Sequence, residues 1–263
     1  MTVAQPAPCE LLPWDSEFFR VPIGRVSSER LSGPLALRVD QWAEENRVRC
    51  LYFLAVADDP ATLGNACEFG YNLVDIRLTL ECREPMSKRS PAADASSPQP
   101  LIRAAQPEDL TTLQRMARTG HRDTRFFSDT HFSTERAEQF YSTWVTLECQ
   151  GRATQVLVAV SSGGEPQGYI SCHLDPGRRT GQIGLVGVSS EVRGKGIGKA
   201  LVTAALDWFA SNGALEVIVV TQGRNIQAQR LYQRCGFVTQ KMQLWYHKWF
   251  PNGTPDALPQ VNP

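Results

Sequence analysis

The run from Leu185 to Leu201 constrains this chain more than any other stretch. Gly194, Gly196 and Gly198 stand at alternate positions, just after the apolar run Leu185-Val186-Gly187-Val188. Apolar residues then recur at Ile197, Leu201, Ala204, Ala205, Trp208 and Phe209, a spacing close to one helical turn. The pattern predicts a buried strand, a tight glycine turn and a helix. Glycine tolerates positive φ and lets another group approach the backbone. Unpaired N–H groups at a helix start, preceded by glycines, form a cradle for anions. Arg193, Lys195 and Lys199 add positive charge, so the segment points to a phosphate-bearing ligand. A glycine-rich connection with no ligand is the plain alternative, but alternating glycines weaken a purely structural helix start.

Two phosphate motifs are excluded by counting. A Walker A loop, G-x-x-x-x-G-K-[ST], needs a glycine where Arg193 stands and a hydroxyl where Ala200 stands. The dinucleotide fingerprint G-x-G-x-x-G lacks its third glycine, because Lys199, Ala200 and Leu201 follow Gly198. The pattern that fits is R-G-x-G-x-G behind a V-x-V strand. It resembles the acyl-CoA loop of the GNAT superfamily of N-acetyltransferases. That resemblance implies an α/β (α+β) GNAT fold, with a mixed central sheet and flanking helices. It also implies acetyl-CoA as acetyl donor and CoA as product.

Composition narrows the rest. Lys+Arg 27 balances Asp+Glu 27, so no basic face favours a nucleic-acid partner. No apolar run is long enough to span a bilayer. The start, Met1-Thr2-Val3-Ala4-Gln5-Pro6, lacks a signal-peptide pattern. Seven cysteines are scattered without a C-x-x-C pair, which argues against zinc or a disulfide framework and fits a cytoplasmic location. Cys50, Cys172 and Cys235 lie in apolar segments and read as small core residues.

The stretch 84–100 is rich in Pro, Ser and Ala with few large apolar residues and reads as a linker; 251–263 reads as a disordered tail. The expected organisation is a smaller lobe over 1–83 and a catalytic domain over 101–250. Within the latter the spacing predicts strands at 101–103, 155–160, 168–173, 180–188, 215–221 and 242–249. Helices are expected at 107–119, 134–147 and 225–235, besides the one after the glycine loop. In the first lobe, a strand at 50–57 and a helix at 60–69 lead to Phe69-Gly70-Tyr71 and a strand at 76–82. This echoes Cys235-Gly236-Phe237 and the strand after it. The echo predicts a half-sized, GNAT-like lobe without the glycine loop, hence without a second CoA site.

Several residues are candidates for the chemistry. The backbone of Arg193, Gly194, Lys195, Gly196, Ile197, Gly198 and Lys199 is expected to hold a pyrophosphate. Leu185, Val186 and Val188 are expected to bind a pantetheine arm by main-chain hydrogen bonds, with an N–H near Val186 or Val188 facing the oxyanion. The run Asn225 to Phe237 reads N-x-x-A-x-x-x-Y-x-x-x-G-F and resembles the GNAT segment that closes over CoA. The resemblance implies that Tyr232 faces the cofactor sulfur as general acid and that Asn225 contacts CoA. Tyr232 also fits a plain core position, and Asn225 a plain N-cap. No base stands out: Glu191 adjoins the loop, and His121, His131, His173 and His247 are isolated.

Trp14-Asp15-Ser16-Glu17-Phe18-Phe19, the segment around Arg122 to Phe127, Phe140-Tyr141-Ser142-Thr143-Trp144, and Thr221-Gln222 before Asn225 resemble the dTDP-fucosamine acetyltransferase group. That implies a nucleotide-linked 4-amino-4,6-dideoxy sugar as acceptor, for surface polysaccharide synthesis. Arg122 and Arg125 are then expected at its diphosphate, Phe126 and Phe127 over the sugar or base, and Thr221 and Gln222 at the substrate. The Trp14 region and the aromatics of the Arg122 to Phe127 segment also fit a plain core. Acetylation of a protein or small amine and a non-catalytic acyl-CoA sensor are the rival readings; a homodimer is left open. No metal is expected.

Overall fold

The computed structural model describes residues 6–83 and 100–251. The expected linker and tail lie outside the described residues, apart from Pro100 and Pro251. In chain order the elements are β1 (Cys9–Leu11), α1 (Pro13–Phe19), β2 (Ile23–Val26), α2 (Gly33–Glu45), β3 (Cys50–Val56), α3 (Pro60–Glu68) and β4 (Asn72–Cys82). There follow β5 (Leu101–Ala104), α4 (Leu110–Gly120), α5 (Arg125–Ser128), α6 (Thr134–Leu147), β6 (Gln155–Val160), β7 (Pro166–Asp175) and β8 (Thr180–Val188). The chain continues through α7 (Ile197–Ser211), β9 (Glu216–Gln222), α8 (Ile226–Arg234) and β10 (Val238–Trp249).

These residues form two compact units, divided at Asp75/Ile76 and again at Met242/Gln243. The sequence reading divided the chain at 83 and 101 instead. The difference arises because β4 and β10 each run through a boundary, and a strand carries no sequence mark where its partners change.

The first unit pairs β1 antiparallel to β2, β2 parallel to β3, and β3 antiparallel to Gln243–Trp249 of β10. Its core gathers Ala36, Val39 and Ala43 of α2 against Leu51, Phe53 and Ala55 of β3. Small residues on the helix let it approach the strand closely. The Ser16 hydroxyl donates to the Leu12 carbonyl at 2.7 Å and accepts from Ile23 N–H at 2.9 Å, closing the short β1–α1–β2 segment. Trp14 stacks on Phe18 at 5.4 Å and stays partly exposed.

The larger unit contains the mixed sheet with flanking helices, in the order β4-β9-β8-β7-β6-β5. All neighbours are antiparallel except β8 and β9. Successive side chains of a strand face opposite sides, and β7 shows it. Ile170 and Cys172 join Ile197, Leu201, Val202, Ala205, Leu206 and Phe209 of α7 in one core. Tyr169, Ser171 and His173 point the other way, where they meet residues of α4, α6 and the turn after α6. Full burial of each large apolar side chain is worth about 1.5–3 kcal/mol, so the α7 stripe holds the helix start in a fixed place. Gly181 has no Cβ because the Phe209 ring lies 2.5 Å from where one would be.

Candidate functional site

The parallel ladder between β8 and β9 stops at Ile183 opposite Val219. Both strands run on, β8 to Val188 and β9 to Gln222. On its other side β8 keeps its partner: Ser189 N–H donates to the Gln167 carbonyl at 2.9 Å, and Gly187 lies opposite Tyr169. In an antiparallel ladder the residues that bond to the partner alternate. Gly187 therefore bonds toward β7, and the N–H and C=O groups of Val186 and Val188 point toward the opening left by β9. Those two residues are among the three expected from the sequence, and the ladder leaves their backbone groups free on that side. Leu185 is used differently. The register slips at Gly184 and Leu185, where β8 carries one extra residue against Ser171, a β-bulge. Leu185 N–H donates to the Ser171 hydroxyl at 2.8 Å.

Beyond Val188 the chain turns through Ser190–Val192 into the glycine loop. Gly194 has φ +80° and Gly196 φ +83°, which side-chain-bearing residues adopt only at a cost. A Cβ at either would meet nothing within 4 Å. Gly196 is the N-cap of α7, and no side chain caps the helix, so the first-turn amides of Ile197, Gly198 and Lys199 have no intrahelical partner. Arg193, Lys195 and Lys199 are exposed and form no ion pair among the described residues. Open space, uncapped amides at the positive end of a helix and three free cations together fit a diphosphate. Two members of the loop have further duties. The Ile197 side chain is in the core, so only its amide is offered. A Cβ on Gly198 would lie 3.2 Å from Leu231; its bareness lets α7 approach α8.

Asn225 caps α8, its side-chain oxygen accepting from Ala228 N–H at 3.0 Å. The Gln229 amide, unremarked in the sequence, donates to the Gln222 and Gly223 carbonyls at 3.0 and 2.8 Å and fixes the β9–α8 turn. Tyr232 is 5% exposed and packs edge-on to Phe237 at 5.7 Å. Burial, and secondarily the neighbouring Cys235, pushes its phenol well above the ordinary tyrosine value. Thr221 is buried on the β9 face shared with Val217 and Val219, and Gln222 engages Gln229 through its carbonyl.

The expected acceptor residues are less uniform. Arg122 is exposed and pairs with Glu138 while its guanidinium lies 5.5 Å from the Phe127 ring. Arg125 lies over Phe126 at 4.6 Å. The expectation that Phe126 covers a ligand is corrected: it is 3% exposed, packed against Phe132 at 5.3 Å and Phe140 at 4.7 Å. It holds the α5–α6 corner together as core.

Beneath this corner, on the face of β7 turned from α7, lies a polar cluster that the sequence reading missed. Glu148, fully buried, accepts from Trp144 Nε1 at 3.0 Å and lies 2.7 Å from His173 Nε2. Burial works against its charge, yet hydrogen bonds from His173, Ser171 and Trp144 outweigh this and hold the carboxyl below the ordinary glutamate value. His121 stacks on Tyr141 at 4.8 Å and bonds to the Tyr169 hydroxyl at 2.9 Å; burial pushes its imidazole down to about 4. Burial, aided by the Glu148 charge, raises the Cys172 thiol to about 12. A thiol held that high is no nucleophile near neutral pH, which agrees with its core position. Glu191 is exposed in the turn before the loop.

The profile of the acetyltransferase (GNAT) family matches residues 120–237, the span from the end of α4 to the end of the α8 turn. The dTDP-fucosamine acetyltransferase of Escherichia coli O6:H1 is 25% identical, over 92% of this chain and 98% of its own. The spore coat polysaccharide biosynthesis protein SpsD of Bacillus subtilis is 28% identical over 55% of this chain; the match spans 49% of its length, so the chain covers about half of that relative. In fold, a GCN5-related N-acetyltransferase from Sphaerobacter thermophilus superposes with TM-score 0.64 at 19% identity, over 92% of this chain and 76% of that one. The opened β8–β9 ladder, the glycine cradle and the profile coincide in one stretch, and the chain carries a GNAT acetyltransferase domain, of the kind that takes its acetyl group from acetyl-CoA.

Proposed function

We propose that the chain transfers the acetyl group of acetyl-CoA directly to the amino group of a nucleotide-linked amino sugar, of the 4-amino-4,6-dideoxyhexose type. The observation that carries the reading is the parting of β8 from β9 after Ile183 and Val219, beside an open cradle at Gly194 and Gly196. In this reading the amides of Gly194 to Lys199 and the three cations bind the diphosphate of CoA. Val186 and Val188 bind the pantetheine arm, and one of their N–H groups stabilises the oxyanion. Tyr232 donates a hydrogen bond to the departing sulfur. Asn225 contacts CoA with what its capping role leaves free.

The acceptor assignment draws on the likeness along nearly the whole chain to a protein named dTDP-fucosamine acetyltransferase. Arg122 and Arg125 meet the sugar's diphosphate, with Thr221 and Gln222 at the inner end. Among the described residues no helix is long and apolar enough to cross a membrane, and the reading includes a cytoplasmic location. Incubation with acetyl-CoA and a panel of nucleotide amino sugars, peptides and small amines, read by mass spectrometry, tests it. A 42 Da gain (about one acetyl in place of one hydrogen, a chemical constant of the transfer) confined to nucleotide amino sugars is expected. Acetylation of peptides alone overturns the acceptor; acetyl-CoA binding without any product overturns the activity.

A further inference from the structure

The proposed transfer requires an acceptor amine that enters as an ammonium and attacks as a free base. Neither the glycine loop nor Tyr232 can take that proton. The candidates are the titratable groups near the point where β8 leaves β9. His121 is excluded, because a conjugate acid near 4 makes it a weak base and its Nε2 is engaged with Tyr169.

His173 stands beside that point. It stands on β7 opposite the first half of β8, and a Cβ on Gly184 would lie 2.9 Å from its Nε2 and 2.6 Å from Ser171 Oγ. The Nε2–Cδ2 edge of the imidazole therefore lies against the bulge, one residue from Ile183, where the parallel ladder ends. Its Nε2 bonds to the buried Glu148 carboxylate at 2.7 Å, and its side chain is 31% exposed. Nδ1 forms no hydrogen bond with a described residue. A carboxylate bonded to one nitrogen fixes the tautomer and leaves the other nitrogen as base. The groups facing the pair are Trp144, Ser171, the Cys149, Tyr169 and Cys172 side chains that feel the Glu148 charge and, at 3.9 Å from Glu148, Arg152. The guanidinium is half exposed and stacks on Trp144.

We propose that His173, oriented and charge-balanced by Glu148, is the general base for the acceptor amine, and that Ser171 ties this pair to the bulge of β8. This rests on the acetyltransferase reading above. The ammonium gives one proton to His173 Nδ1. The freed nitrogen lone pair forms the C–N bond at the thioester carbon, and the C–S bond breaks with its electron pair on sulfur. The imidazolium, neutralised by Glu148, then returns its proton to solvent, and the nitrogen's remaining surplus proton leaves with the thiolate as CoA thiol. His173 touches substrate; Glu148 is a positioning residue.

The test uses the full chain and two readouts. The first is 15N-histidine NMR of the free protein: neutral His173 is expected as the Nε2–H tautomer, and an Nδ1–H tautomer overturns the proposal. The second is kcat/KM against pH for wild type, His173→Gln and Glu148→Gln, with an amine accepted by wild type. His173→Gln is expected to lose about 100-fold, and its acid limb moves up to the pKa of the amine, since only amine already deprotonated in solution reacts. Acetyl-CoA affinity by calorimetry is expected to stay within twofold, which separates lost chemistry from lost folding. If wild type turns over and His173→Gln keeps the same acid limb, the base assignment falls alone. If wild type acetylates no amine, both it and the acetyltransferase reading fall. Glu148→Gln is buried and is scored only where its melting curve matches wild type; the half-exposed His173→Gln carries the test otherwise.

Discussion

Gly196→Ala separates the backbone duty of the loop from its ligand duty, because the chain supplies its own control. Gly196 has φ +83° and Gly213, just past the other end of α7, has φ +82°; a Cβ at either meets nothing within 4 Å. Alanine in the left-handed region costs about 1–2 kcal/mol. A stiffer unfolded chain returns about 0.4–1 kcal/mol. The net loss is about 1 kcal/mol at both sites, or about 2–4 °C in Tm for a chain of this size. The two variants should therefore melt alike. Only the methyl at Gly196 enters the space proposed for a diphosphate, beside the uncapped amides of α7. It should weaken acetyl-CoA binding at least tenfold, about 1.4 kcal/mol, whereas Gly213→Ala should bind as wild type does. Calorimetric titration with acetyl-CoA, alongside thermal melts of both variants, gives the comparison. Equal affinities in the two variants, with equal Tm losses, would refute the placement of the phosphate at Gly194 to Lys199.

The same geometry makes three further claims. Gly184→Ala must push its methyl onto Ser171 Oγ at 2.6 Å and His173 Nε2 at 2.9 Å; overpacking of this kind costs about 1–3 kcal/mol, visible as a lower denaturant midpoint. Phe209→Ala removes a fully buried ring of α7 and should cost about 3–5 kcal/mol by chemical denaturation. Asp109 and Glu148 both hold carboxyls below their ordinary values in the fold, the first mainly through its hydrogen bonds from Arg103. Their contribution to stability is fully present above the unfolded values near 4 and disappears as pH falls through the lower folded ones. Stability should fall on acidification below about pH 4, and Asp109→Asn should flatten that slope.

How much of this was legible in the sequence depends on whether the signal was local. The loop was legible because its glycines, its cations and the 3.6-residue stripe of α7 are contiguous. Val186 and Val188 came with the apolar run that leads into the loop, but which of its residues turn their backbone groups away from β7 is set by the register with that strand. The parting of β8 from β9 was not legible, since Val217 to Val220 read as an ordinary β-branched strand and nothing marks where pairing stops. Glu148 and His173 lie 25 residues apart and meet only through the fold. Two signals could have exposed them. Glu148 continues the buried stripe of Tyr141 and Val145 at helical spacing, as a lone carboxylate on an apolar face. Tyr169, Ser171 and His173 put three polar groups on one face of a strand whose other face is apolar. Phe126 was misassigned for the converse reason: an aromatic beside two arginines resembles a ligand platform, and only packing against Phe132 and Phe140 reveals a core residue. The opening strands β1 and β2 escaped because they are only three and four residues long, whereas α2 does carry a helical spacing at Ala36, Val39 and Ala43 that could have been found.

The burial of Tyr232 refines what a tyrosine can do here. A phenol ordinarily near 10 is already a weaker acid than a thiol near 8.5, and burial raises this one further. Complete proton transfer from Tyr232 to the leaving thiolate is thus uphill, and more so in the fold than in water. In the proposed transfer, what the buried phenol would supply is a hydrogen bond to the negative charge developing on sulfur. Two consequences distinguish this from acid catalysis. Burial favours the protonated phenol, so no basic limb of kcat near neutral pH should belong to Tyr232. Tyr232→Phe should lower kcat by about tenfold to a hundredfold with unchanged acetyl-CoA affinity, and the shape of its pH profile should match that of wild type. A basic limb that vanishes in Tyr232→Phe would mean that the phenol does give up its proton, and that its surroundings in the working complex oppose the effect of burial.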